Sequence, residues 1–86
     1  MYTVETTKCA RKYLDALDAI TRNRLVEAIR EMSSDPFSGD VKKLSGHHLL
    51  YRKRVGNFRI LFEVYERRLF VVIVDVASRG EVYKRL

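Results

Sequence analysis

The 86-residue sequence predicts an α+β fold in which an N-terminal strand and a helical hairpin pack on a curved antiparallel sheet of about four strands. Two patterns and a break point to it. Apolar residues recur with a helical period between Thr7 and Met32, and from Leu49 onward they alternate with the period of a strand. The only proline, Pro36, and a run of turn formers separate the two patterns. With 47% hydrophobic residues, residues 1–86 suit one small domain and are too few for two.

Tyr2, Thr3, Val4 and Thr6 form a short β-branched run that reads as a first strand. From Thr7 the period changes. Ala10, Tyr13, Leu14 and Leu17 fall on one side of a helix, with Lys8, Arg11, Lys12 and Asp15 opposite. Asp18 is placed to cap a second helix, whose stripe is Leu25, Ala28, Ile29 and Met32. Ser33, Ser34, Asp35 and Pro36 end it, because proline restricts its predecessor and lacks the N–H the helix needs. Ser38, Gly39, Asp40, Ser45 and Gly46 then mark a polar connection.

Strands follow. Leu49–Val55 pairs with Phe58–Tyr65 through a tight turn at Val55-Gly56-Asn57, and a second turn at Glu66-Arg67 leads into a strand from Arg68 to Val76. Phe58, Ile60, Phe62 and Val64 alternate with Arg59, Leu61, Glu63 and Tyr65, and the first set is the one expected to face the helices. Leu69–Val74 is apolar at every position, the mark of a strand flanked on both sides and covered on both faces. Glu81–Arg85 reads as a last short extended piece.

Charge is distributed unevenly along this frame. Residues 1–40 hold six basic and seven acidic side chains, whereas residues 41–86 hold eleven basic and four acidic, so the C-terminal half carries the whole net charge of +6 and more. Such a field favours a polyanion, whether a nucleic acid or an acidic protein. Strand parity sharpens this. With Phe58 facing inward, Arg59 faces outward, and Arg52 and Arg54 share one face of the neighbouring strand, so all three project from the open side of the sheet. Lys53 falls on the inner face with Tyr51 and Val55, where its stem can run past the core to bring the ammonium out.

Several classes of chemistry find no support. Cys9 is the only cysteine, so no intramolecular disulfide forms, and His47 and His48 lack the companions of a metal site. Adjacent residues entering a strand point to opposite sides, so the two histidines do not serve one phosphate together. There is no glycine-rich phosphate loop and no Ser/His/Asp set. No basic-then-apolar leader opens the chain and no apolar run is long enough to span a bilayer, so a cytoplasmic protein without membrane contact is expected.

The segment Leu44-Ser45-Gly46, the run Tyr51-Arg52-Lys53-Arg54-Val55-Gly56-Asn57-Phe58-Arg59 and the closing Arg79-Gly80-Glu81-Val82-Tyr83 together resemble the core of the RelE/ParE superfamily of bacterial and archaeal toxins. The resemblance implies the toxin of a type II toxin–antitoxin system, a metal-independent endoribonuclease needing no cofactor that cuts messenger RNA on the ribosome by 2′-hydroxyl attack. It implies Tyr83 as the base, Arg59 as phosphate stabiliser and Arg79 near the leaving group, with Tyr83 and Arg79 meeting the other arginines over one patch. Arg52 and Arg54 stand where the best-known members carry lysines, binding the substrate backbone. The implied partner is a cognate antitoxin that wraps the domain and covers the cationic face, with oligomers formed only through it.

The residue types suit that chemistry. Attack by a 2′-hydroxyl needs a proton acceptor, stabilisation of a negatively charged five-coordinate phosphorus, and help for the departing 5′-oxygen. Guanidinium forks bind phosphate oxygens bidentately and remain charged. A tyrosine is a poor base at neutral pH, but nearby cations favour its phenolate. Arginine hardly ever gives up a proton, so hydrogen bonding to the leaving oxygen is the physically easier role for Arg79. Two other readings stand beside this one. A ParE-like toxin acting on DNA gyrase shares the fold, although such members generally lack the full set Arg52, Arg54, Arg59, Arg79 and Tyr83. A non-catalytic nucleic-acid-binding module needs only the basic face and dispenses with Tyr83.

Overall fold

The computed structural model describes residues 1–44, 46 and 49–78. The chain runs β1 (Thr3–Thr6), α1 (Lys8–Asp15), α2 (Ala19–Glu31), β2 (Asp40–Lys43), β3 (Leu50–Val55), β4 (Phe58–Tyr65) and β5 (Phe70–Ser78). The expected α+β architecture is present, with one more strand and a mixed sheet. Among the described residues five strands lie in the order β1-β5-β4-β3-β2, and the expected last extended piece, Glu81–Arg85, lies outside them. Four of them form the antiparallel run β2 to β5, while β1 pairs with β5 in parallel, Thr3 opposite Phe70 and Thr6 opposite Ile73. The connection between the parallel partners is long: both helices and the strands β2, β3 and β4 lie between β1 and β5, so the helical hairpin carries the chain from one edge of the sheet to the other.

Both helices begin on side-chain caps. The hydroxyl Oγ1 of Thr7 accepts from the Ala10 N–H at 3.2 Å and also donates to the Val74 carbonyl at 2.7 Å, so one side chain starts α1 and ties it to β5. Asp18 caps α2 as expected, its Oδ2 accepting from the Thr21 N–H at 3.0 Å. Hydrogen bonding from Thr21, through its side chain first and its N–H second, holds the Asp18 carboxyl below the usual aspartate range. The stripes Ala10 and Leu14 on α1, and Leu25 and Ile29 on α2 with Met32 at its C-cap, close over Ile60, Phe62 and Val64 of β4 and Val71, Ile73 and Val76 of β5. Each large side chain fully buried here stabilises the fold by about 1.5–3 kcal/mol relative to leaving it exposed.

The departures from the expected strands have local causes. β2 occupies part of the stretch expected as a polar connection. It is an edge strand with a single apolar residue, Val41, and its Lys42 and Lys43 suit an edge that must not recruit further strands. Gly39, at φ +80°, turns the chain into it. After β4, one 3₁₀ turn spans Glu66–Arg68 and Leu69 is left-handed at φ 52°, so β5 starts later than Arg68. A register shift between Leu61 and Phe62 puts Phe62 opposite Ile73 but Leu61 opposite Asp75. Val74 is therefore an extra residue, a β-bulge that reverses the parity of everything after it on β5. Among the described residues no helix is long and apolar enough to cross a membrane.

Candidate functional site

The ladder between β3 and β4 places Arg54 directly opposite Arg59 and Arg52 opposite Leu61. Extending these rows across the sheet gives Asp40, Arg54, Arg59, Ala77 and, beside them, Lys42, Arg52, Leu61, Asp75. Arg52, Arg54 and Arg59 thus share a face, on the side away from Ile60 and Phe62. The hairpin that joins them turns through Gly56-Asn57, with φ positive at Gly56 alone, the pattern of a type II′ turn that keeps β3 and β4 in this register. A cleft of about 160 Å³ lies at this end of the sheet, lined by Arg54, Gly56, Asn57 and Arg59.

The face is less open than parity alone implied. Arg54 is exposed, but Arg52 and Arg59 retain only 7% and 8% of their accessible surface. Leu50 and Leu61 share the arginines' parity and form a second small apolar cluster with Ala77, against which Tyr13, Leu44 and Val74 pack. Long arginine stems lie readily along such surface, and here the burial reaches the guanidinium groups, since Nε of both Arg52 and Arg59 is buried.

Two carboxylates belong to this face that the sequence reading passed over. Asp40, at the start of β2, sets one oxygen 3.3 Å from Arg52 Nη2 and the other 3.7 Å from Arg54 Nε. Its side chain remains 54% exposed, so the carboxylate caps the pair from the solvent side. Arg52 Nε is buried with no hydrogen-bond partner. Asp75 is buried on β5, and its Oδ1 accepts from the Val76 N–H at 2.9 Å and lies 3.7 Å from the Cys9 thiol. The only signal for Asp75 was a single acid inside an apolar run; for Asp40 there was none beyond its place next to a glycine.

Lys53 lies on the inner face, as parity required, and is buried. Its Nζ donates to the Ser38 carbonyl at 2.6 Å, so the ammonium ends on the turn that enters β2. Tyr65 donates to Glu63 Oε1 at 2.9 Å, and that bond raises its pKa, the opposite of what a proton acceptor needs. A larger groove of about 480 Å³, lined by Leu49, Tyr51, Val64, Tyr65, Glu66, Arg67 and Arg68, holds none of the expected site residues. Arg79, Tyr83, His47 and His48 lie outside the described residues. Among the described residues no three His, Cys, Asp or Glu side chains come together as a metal-ligand set.

The described part of the site thus sets three guanidinium groups on one face of a hairpin, Arg54 exposed and Arg52 and Arg59 largely buried, and planar donors of this kind suit partners that bring oxygens.

Comparison with known proteins places this arrangement. The family model of the ParE toxin of the type II toxin-antitoxin system, parDE, matches residues 4–83. Among solved structures, the archaeal RelE–RelB complex from Pyrococcus horikoshii OT3 is 28% identical, with a TM-score of 0.82 over 93% of this chain and 97% of the matched one. The toxin–antitoxin complex RelBE2 from Mycobacterium tuberculosis is also 28% identical, at a TM-score of 0.79 over 91% and 98%. The RelB–RelE antitoxin–toxin complex from Methanococcus jannaschii is again 28% identical, at 0.72 over 94% and 96%.

Proposed function

The chain belongs to the ParE toxin family of type II toxin–antitoxin systems, with a RelE-like fold, and from that premise we propose that it is an endoribonuclease that cuts messenger RNA on the ribosome without a metal ion. The observation that carries the proposal is the register of one hairpin, which sets Arg54 opposite Arg59 with Arg52 two residues away on the same face.

In this reading the 2′-hydroxyl of the substrate attacks the adjacent phosphorus and its proton passes to the Tyr83 phenolate. The P–O5′ bond breaks, leaving a 2′,3′-cyclic phosphate on one product and a 5′-hydroxyl on the other. Arg59 and Arg54 bind the non-bridging oxygens as negative charge grows on them, and Arg52 orients the neighbouring backbone. Arg79 hydrogen-bonds the departing 5′-oxygen, which takes its proton from the protonated Tyr83 or from water. A ribosome supplies what a shallow cationic face lacks, a second surface that holds RNA in line for attack.

The partner in this proposal is a cognate antitoxin, as in the solved toxin–antitoxin relatives. An acidic or amphipathic segment crossing the positive half of the chain would bind less tightly as salt rises, since surface charges are screened within about 10 Å at 0.1 M ionic strength. Binding that is flat with salt would place the interface on apolar surface instead.

The test is translation in vitro with primer extension on the message. Cuts that appear only with the toxin, and cyclic or 3′-phosphate ends on the upstream products, support the proposal. A 3′-hydroxyl end, as an activated water would leave, sinks it. The second reading, a gyrase poison, draws on the ParE description of the matching family. It predicts an uncut message and inhibition of gyrase supercoiling in the same preparations.

A further inference from the structure

Asp40 sits where a substrate phosphate is expected. Its two oxygens reach Arg52 Nη2 at 3.3 Å and Arg54 Nε at 3.7 Å, so one oxygen faces each guanidinium, as the two non-bridging oxygens of a phosphodiester are also able to do. The pairing is lopsided. Arg52 is buried, its hydrogen bond to Asp40 leaves its Nε buried without a partner, and a buried guanidinium left short of acceptors is costly. Asp40 is half exposed on a four-residue edge strand and sits directly after Gly39, so its side chain has room to leave the pair.

Resting on the endoribonuclease reading, we propose that Asp40 is a positioning residue, an internal anion that holds Arg52 and Arg54 ready and is exchanged for an RNA phosphate on binding. The carboxylate lowers the cost of keeping two cations side by side in the free protein, because like charges on one face otherwise repel. It also sets a threshold. An RNA phosphate must displace or outcompete a carboxylate already in place, so weak encounters with unprogrammed RNA are disfavoured, while a phosphate presented in the right position completes the bonds that Asp40 leaves unmade. No atom of Asp40 enters the bond-making steps.

The experiment compares wild type, Asp40→Asn and Asp40→Glu in binding a short 2′-O-methyl oligoribonucleotide, which offers phosphates but no attacking hydroxyl. Asp40→Asn is expected to bind roughly 3- to 10-fold more tightly at 0.1 M salt. Its log–log salt slope should steepen by about 0.7, the value for one further phosphate neutralised on a single strand. Asp40→Glu restores the wild-type slope. In cleavage, the gain of Asp40→Asn appears as a lower KM without a higher kcat. Should Asp40→Asn fail to fold, the side-chain carboxyl ¹³C resonance of Asp40 in the wild type reads the same event, shifting as the oligonucleotide saturates the site. An unchanged salt slope, or a carboxyl resonance that does not move, overturns the inference while leaving the endoribonuclease reading intact. A wild type that binds the oligonucleotide neither free nor in a programmed ribosome overturns both.

Discussion

Arg54 and Arg59 face each other directly across the β3–β4 ladder, separated in sequence only by Val55, the Gly56-Asn57 turn and Phe58. Like charges so placed destabilise a sheet by roughly 0.2–1 kcal/mol, and the hairpin provides no way for them to part. Asp40 offsets part of that cost at Arg54, and a small cleft lined by both arginines opens at this end of the sheet.

Arg59→Ala is expected to lower single-turnover cleavage on programmed ribosomes by about 10² to 10³, the scale set by losing one donor to a developing oxyanion. RNA affinity should fall with it. Cleavage within a few-fold of wild type would remove Arg59 from the site.

Tyr83→Phe removes only a hydroxyl, and as the loss of a proton acceptor it should reduce cleavage by roughly 10² to 10⁴. Lys84→Ala removes a neighbouring charge but no proposed proton acceptor and should matter much less. If Tyr83→Phe cuts at near the wild-type rate, the base is a histidine or a water held by the arginines.

Gly39→Ala should destabilise the fold by about 1–3 kcal/mol, the range for a non-glycine residue held in a sparsely populated backbone region. Gly39 has φ +80°, and a Cβ there would stand 2.7 Å from Lys53 Nζ, which must then release the Ser38 carbonyl. Gly46 supplies the comparison, since its φ is +77° and nothing lies within 4 Å of the added carbon. Urea melts should show Gly39→Ala as the less stable of the two, and equal stabilities would mean that the Lys53 contact contributes nothing.

Asp18 gives stability an acid limb. Its carboxyl titrates below the ordinary range because it accepts from Thr21. A group depressed on folding contributes fully above its unfolded pKa and loses that contribution as pH falls through the folded one. Asp18→Asn keeps an acceptor at the cap without the charge, so its melting temperature should converge on the wild-type value as pH drops from about 6 to about 2. A gap that stays constant over that range would show that the Asp18 charge has no part in it.

How much of this was legible in the sequence depends on how local each cause is. The Asp18 cap, the inward set on β4 and the shared face of Arg52, Arg54 and Arg59 rest on periodicity and parity within one or two neighbouring elements, and the structure has all of them. β2 escaped because Asp40–Lys43 offers one apolar residue in four, and its partner β3 rather than its own composition makes it a strand. The parallel edge between β1 and β5 joins segments more than sixty residues apart, with no pattern in either that names the other. Asp75 faces the arginines' side because a bulge resets the alternation, and bulges leave no mark in a run such as Val71–Val76. The depth at which Arg52 and Arg59 lie follows from Leu50 and Leu61, whose parity was readable but whose clustering with Ala77 was not.

The pairing of β1 with β5 has a consequence for how the chain comes into being. Thr3 finds its sheet partner only at Phe70, and Thr7 bonds Ile73 and Val74, so β1 has no strand to pair with until most of the polypeptide has left the synthesising ribosome. High contact order of this kind delays closure of the sheet. On the activity proposed here, the nascent toxin lacks a finished fold while its own message is being read, and the interval before β5 emerges is one in which an antitoxin already in the cell can wait for it.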